Sequence, residues 1–116
     1  MKYFLCVFLI ASSLDVFSET GENFGKISKI QFFTNDWGTY NEADSALAVF
    51  YMDPALPKAC DTGEKRVAIG VNHPLYQSVV SSLLAAKISG TDVKIKYVKA
   101  CTARSNSWDF GYLLLN

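Results

Sequence analysis

Residues Arg66–Cys101, RVAIGVNHPLYQSVVSSLLAAKISGTDVKIKYVKAC, hold a short apolar strand, a helix and a second strand with lysines on alternate positions. The helix is marked by its ends and its stripe. Asn72 and His73 precede Pro74, and proline suits the first helical position because its missing N–H would have been an unpaired donor there. Leu75, Tyr76, Val79, Val80, Leu83, Leu84 and Ile88 then recur at three- and four-residue steps, the apolar face of a 3.6-residue period. Ser78, Ser81, Ser82 and Lys87 occupy the other face, and Gly90 can adopt the left-handed conformation that closes a helix. On either side the period is two. Val67, Ile69 and Val71 alternate with Ala68 and Gly70, and Val93, Ile95 and Tyr97 alternate with Lys94 and Lys96, so each strand offers one face to a core.

Upstream of this unit, Glu19–Gly25 reads as a polar, unanchored lead-in. Lys26–Thr34 reads as a strand with Ile30 and Phe32 on one face and Ile27 and Phe33 on the other, a mixed pattern that implies a bend or bulge. Asn35, Asp36, Trp37 and Gly38 form a turn, because Asn and Asp bond to the backbone that follows them and Gly supplies positive φ. The loop continues to Ser45, and Ala46–Met52 is a strand apolar on both faces. Asp53–Lys65 holds two of the three prolines and is a surface loop. Downstream, Thr102–Ser107 is a polar turn, and Trp108, Phe110, Tyr112 and Leu114 alternate with Asp109, Gly111, Leu113 and Leu115 in a last strand. The expected fold is therefore mainly β with one α-helix. Its order, three strands, a helix and two strands, is that of an OB-fold barrel with the helix plugging one end.

The chain has 116 residues with 50% hydrophobic content, enough for a single domain with one core. Lys2, the apolar run Tyr3–Ala11 and the small residues after it predict a secretory signal peptide over residues 1–18, cut after Ser18 with Val16 as the other small-pocket residue. The run is short for a membrane span, and the rival reading is an N-terminal strand or anchor. The mature part, 19–116, would then have no membrane span and would be secreted or periplasmic.

Leader removal takes Cys6 and leaves Cys60 and Cys101, which an oxidising compartment joins as a disulfide. Closing that long loop contributes roughly 2–4 kcal/mol. A reactive thiol or metal pair is the weaker reading, because there is no Cys-x-x-Cys and only one His. Net charge is +0, and the leader carries one charge of each sign, Lys2 and Asp15, so no nucleic-acid footprint follows from bulk charge. Lys94, Lys96 and Lys99 beside Tyr97 resemble a single-strand stacking groove, but a regular strand turns Tyr97 away from Lys94 and Lys96.

Catalytic chemistry finds no set of residues. His73 stands before Pro74 at a helix entry, where capping or exposure suits it, and Asp36, Glu42, Asp44, Asp53, Asp61 and Glu64 all fall in loops. No metal-ligand spacing and no cofactor motif occurs. What remains are aromatic residues beside polar ones. Trp37 and Tyr40, with Asn35, Asp36 and Asn41, could stack on a sugar face while amides and carboxylates bind its hydroxyls. Trp108, with Ser105, Asn106, Ser107 and Asp109, is a second cluster, although Trp108 also reads as the first core residue of its strand. Candidate ligand-binding residues are therefore Asp36, Trp37, Tyr40, Asn106 and Trp108.

Some of these residues carry a resemblance. Phe24, Gln31, Phe32 and Thr34 match a Phe…Gln-Phe-x-Thr run, and Leu75-Tyr76 and Gly90-x-x-Val93-Lys94-Ile95 are similar to the Leu-Tyr helix entry and the Gly-x-x-Val-Arg-Ile helix exit, of the subtilase-cytotoxin-like B subunits of AB5 toxins. The chain thus resembles small exported bacterial proteins related to those subunits, over about Phe24–Tyr97. The resemblance implies an OB-fold, export, a cell-surface glycan or protein receptor and a homo-oligomer, a pentameric ring. A serine that helps hold the sugar in those subunits lines up with Gly25, which has no hydroxyl, and the cysteines pair differently, so their glycan pocket does not carry over. The expected function is a secreted, non-enzymatic binding module. The alternative is a periplasmic or envelope structural protein or inhibitor acting through a protein partner.

Overall fold

The computed structural model describes residues 19–61 and 63–115; the expected leader, with Val16 and Ser18, lies outside them. The described chain is mainly β with one helix, as its periodicities predict. It runs β1 (Thr20–Thr34), β2 (Ala46–Asp53), a 3₁₀ turn (Ala59–Asp61), β3 (Val67–Gly70), α1 (Tyr76–Ser89), β4 (Val93–Val98) and β5 (Trp108–Leu115). The strands close a barrel in the order β1-β2-β3-β5-β4. Every pairing is antiparallel except the short parallel contact of β3 with β5, Val67 opposite Trp108 and Ala68 opposite Asp109.

β1 makes the closure. Its first part pairs with β4, from Thr20 opposite Val98 to Gly25 opposite Val93, and its second with β2, from Lys26 opposite Asp53 to Thr34 opposite Ala46. Glu19–Gly25 is therefore not an unanchored lead-in: Thr20–Gly25 is strand. Thr20 and Glu22 face outward, where Glu22 pairs with Lys94 and Lys96 at 3.5 and 3.8 Å, Asn23 turns inward to donate to the Pro54 carbonyl at 2.9 Å, and backbone pairing holds the segment without an apolar stripe. Gly21 is required because the Tyr97 ring lies where its Cβ would be.

The expected bulge falls between Ile27 and Lys29. It brings Ile27 to the face of Ile30, so the two pack in one core while Phe33 joins a different cluster and Phe32 is exposed. A second irregularity, opposite Lys96–Tyr97, corrects the reading of β5. A Cβ at Gly111 would meet the Lys96 carbonyl. The inward set is Trp108 and Phe110 and then Leu113, while Tyr112 and Leu114 turn outward.

Helix α1 ends as expected, with Gly90 left-handed at φ 69° and its N–H on the Ala86 carbonyl. Its start and face differ from the expectation. Pro74 lies in a turn two residues before the helix, and the His73 ring accepts the Leu75 N–H at 3.0 Å, a local bond that holds the turn in place. Val79, Leu83 and Ala86 are the buried stripe, with Tyr76 and Val80 partly buried. Leu75, Leu84 and Ile88 are exposed, because a helix covering a small barrel can bury only one narrow stripe. Val71, expected in β3, is an exposed turn residue.

The core of the barrel gathers Ile27, Phe50, Ile69, Leu83, Ile95 and Trp108. β2 is apolar on both faces, as expected, because its other face is also covered. Leu47, Val49 and Ala68 form a second cluster on the outside of the barrel, roofed by Phe33 and Tyr51. Cys60 and Cys101 are joined, 41 residues apart in sequence with Cα atoms 6.5 Å apart. The bond ties the loop before β3 to the loop between β4 and β5. Among the described residues no helix is long and apolar enough to cross a membrane.

Candidate functional site

The outer cluster of β1, β2 and β3 is the floor of the site. Outward residues on neighbouring strands align there: Phe33 opposite Leu47, Gln31 opposite Val49, and Val49 opposite Ala68. Arg66 precedes β3 and is only 8% exposed. Its guanidinium spreads over this floor, 5.6 Å from the Phe33 ring centre and 5.9 Å from that of Tyr51. Three neutral acceptors hold it. Nε donates to Ser107 Oγ at 2.8 Å, and the terminal nitrogens donate to the Tyr51 hydroxyl and to Asn106 Oδ1, each at 3.0 Å. Ser107, wholly buried, donates in turn to Asn106 Oδ1 at 3.1 Å.

Two loops rise on either side. The β1–β2 loop carries Trp37, 73% exposed. The β4–β5 loop carries Arg104, whose guanidinium lies 4.9 Å from the Phe33 ring centre and donates to the Asn35 carbonyl at 2.8 Å. Phe33 thus has two guanidiniums about its ring. Between the loops is an open cavity of about 470 Å³, bounded by Gln31, Phe33, Trp37, Arg66, Arg104 and Asn106, with Glu64 also on its wall. Among the described residues the ion pairs are Lys26–Asp92, Lys94–Glu22 and Lys96–Glu22, so neither arginine of the cavity has a carboxylate partner.

The disulfide belongs to this arrangement. Cys60 sits left-handed at φ 51°, with Asp61 at φ 67°, in the turn leading to Glu64 and Arg66. Cys101 begins the loop that carries Arg104 and Asn106. The same two loops are joined by the Glu64 N–H on the Asn106 carbonyl at 2.8 Å, and Gly63 is packed so closely that a Cβ would meet that carbonyl.

Of the expected ligand-binding residues, Trp37 and Asn106 come together at the cavity. Asp36 and Tyr40 lie on the same loop but not on its wall. The Asp36 N–H donates to Asp44 Oδ2 at 2.7 Å, and Tyr40, 86% exposed, donates its hydroxyl to Glu42 at 3.0 Å. Trp108 is elsewhere, in the barrel core, stacked on Tyr97 at 5.5 Å with its indole N–H on the Pro57 carbonyl at 3.0 Å. Gln31, Phe33, Arg66 and Arg104 were not anticipated. Arg66 had one readable signal: a charge directly before an apolar run, with the parity of the outward face.

Other polar residues have structural duties. Asp44 Oδ1 accepts the Ser45 N–H, Asn41 Oδ1 accepts the Ala43 N–H, and Asp109 Oδ1 accepts the N–H groups of Thr102 and Ala103. The His73 ring meets Phe110 edge-on at 5.6 Å. Burial raises the Tyr97 phenol above its ordinary value of 10.0, in keeping with a core position behind the lysine face. Gly25 is buried, and a Cβ there would meet Asp53 O and Pro54 Cδ. No protein-family model, curated protein or solved structure matches the chain.

Proposed function

We propose that the protein is an exported, non-enzymatic binding module of OB-fold type that takes a glycan, or the glycosylated surface of a receptor, on the outer face of β1, β2 and β3. The barrel supports the fold half of this reading: its helix lies between β3 and β4, β1 closes on β4, and β3 meets β5 in parallel. OB-folds bind oligosaccharides and oligonucleotides on the β2–β3 face and the β1–β2 and β4–β5 loops, where the cavity lies. The disulfide is compatible with secretion or a periplasmic location.

One observation carries the functional half. Trp37 stands exposed at the rim of a cavity that offers an aromatic floor, an amide and N–H donors. An aromatic plane for the apolar face of a sugar, with polar groups for its hydroxyls, is what such recognition needs. A glycan array probed with wild type and Trp37→Ala tests it: binding lost in the variant is expected, and a blank array for both proteins refutes glycan recognition. The second reading, an envelope or inhibitor protein with a protein partner, draws on a different surface, the exposed Leu75, Tyr112, Leu114 and Leu115. A ring of copies, as the AB5 resemblance implies, would also use such a surface, and sedimentation of the mature chain distinguishes a pentamer from a monomer.

A further inference from the structure

We infer that the cavity is built for a ligand bearing one compact anionic group, a carboxylate or a sulfate, seated between Arg66 and Arg104 beside Phe33. This deepens the binding-module reading and rests on it. Arg66 is buried and charged, yet its three partners, Ser107 Oγ, the Tyr51 hydroxyl and Asn106 Oδ1, are neutral. A guanidinium has five N–H donors, so two remain after these bonds. Buried charges are ordinarily paired, because taking them out of water without a counter-charge is costly. Among the described residues neither Arg66 nor Arg104 has an ion pair.

The second guanidinium makes the case. Arg104 is only partly buried, and it is held over the Phe33 ring by its bond to the Asn35 carbonyl. Two cations are thereby fixed about one aromatic ring. Glu64 on the wall offsets one of them, which leaves the cavity with one net positive charge. Guanidinium pairs bind carboxylate and sulfate oxygens through directed, charge-assisted bonds. Trp37 at the rim would then cover the uncharged body of the same ligand.

The test is an amide and indole NMR titration of the oxidised mature protein with galactose, galacturonate, acetate and inorganic sulfate. Galacturonate is expected to move the Trp37 indole and the Arg104 signals with at least tenfold tighter binding than galactose. Added salt should weaken it. Arg104→Gln should reduce it to the galactose level, and Lys29→Gln, which removes a cation from the neighbouring surface, should not. Acetate or sulfate moving the Arg104 signals while neither sugar binds would keep the anion site and refute the glycan reading. Galactose binding as tightly as galacturonate would keep the glycan reading and overturn the anion site. Anion shifts abolished by Lys29→Gln and not by Arg104→Gln would also overturn it.

Discussion

Replacing Arg66 with alanine should destabilise the domain even though Arg66 lies outside the barrel core. Three terms enter. Ser107 Oγ, fully buried, loses the charged donor at 2.8 Å, worth about 1 kcal/mol because its own hydroxyl keeps the bond to Asn106. The hydroxyl of Tyr51 and the amide of Asn106, both partly exposed, can turn to water, so their bonds at 3.0 Å count for little. Truncation also uncovers the Phe33 and Tyr51 rings that cover Leu47, Val49 and Ala68, a further loss of roughly 1–2 kcal/mol. Relief of an unpaired buried charge works the other way. The net expectation is about 2 kcal/mol, which lowers the melting temperature by about 8–16 °C in a domain this small. Arg66→Met keeps the stem over the cluster and should lose about half as much. Thermal unfolding by circular dichroism reads both variants. Arg66→Ala melting with wild type would refute the reasoning, and Arg66→Met as damaging as alanine would show that the hydrogen bonds, not the cover, carry the effect.

Three further outcomes are expected. Gly25→Ser should destabilise by roughly 2 kcal/mol, because its Cβ has no space beside Asp53 and Pro54, and should add no sugar affinity; denaturant melts with sugar titration check both parts. Breaking the Cys60–Cys101 bond, 41 residues apart, should cost about 4 kcal/mol by loop entropy, read as the shift in denaturant midpoint between oxidised protein and a double Cys→Ser variant. Burial raises the folded-state phenol of Tyr97, so the unfolded chain loses that proton first; its contribution is full below pH 10.0 and falls as pH rises through the folded value. A Tyr97→Phe variant should therefore show a shallower fall in melting temperature above pH 10.0 than wild type, and parallel profiles would contradict the assignment.

What could be read from sequence was what a local period can express. β4 is the clearest case: Val93, Ile95 and Tyr97 inward, with lysines between, needs no knowledge of its neighbours. The closing glycine of α1 is likewise a local signal. β5 is the opposite case, because its inward set changes at Gly111 only where that backbone meets Lys96 and Tyr97, 15 and 14 positions away from Gly111 in the chain. The first half of β1 has no apolar stripe and is strand because β4 pairs with it, which no window over Glu19–Gly25 contains. The site divides the same way. Trp37 could be picked out as a loop aromatic. Phe33, Arg66 and Arg104 come from three separate segments and meet only once the outer face of the sheet is assembled. Trp108 had the same polar neighbours in sequence as a binding tryptophan, and the barrel turned it inward.

The chain's two tryptophans make the decisive experiment simple, because one sits on the cavity rim and the other in the core. Each gives one indole N–H signal, and that of Trp108 is held on the Pro57 carbonyl at 3.0 Å. Titrating the oxidised protein with a glycan that it binds on an array should move the Trp37 indole progressively and leave the Trp108 indole in place. Saturable binding that leaves Trp37 unmoved would place the ligand elsewhere and contradict the assignment of this face as the binding site.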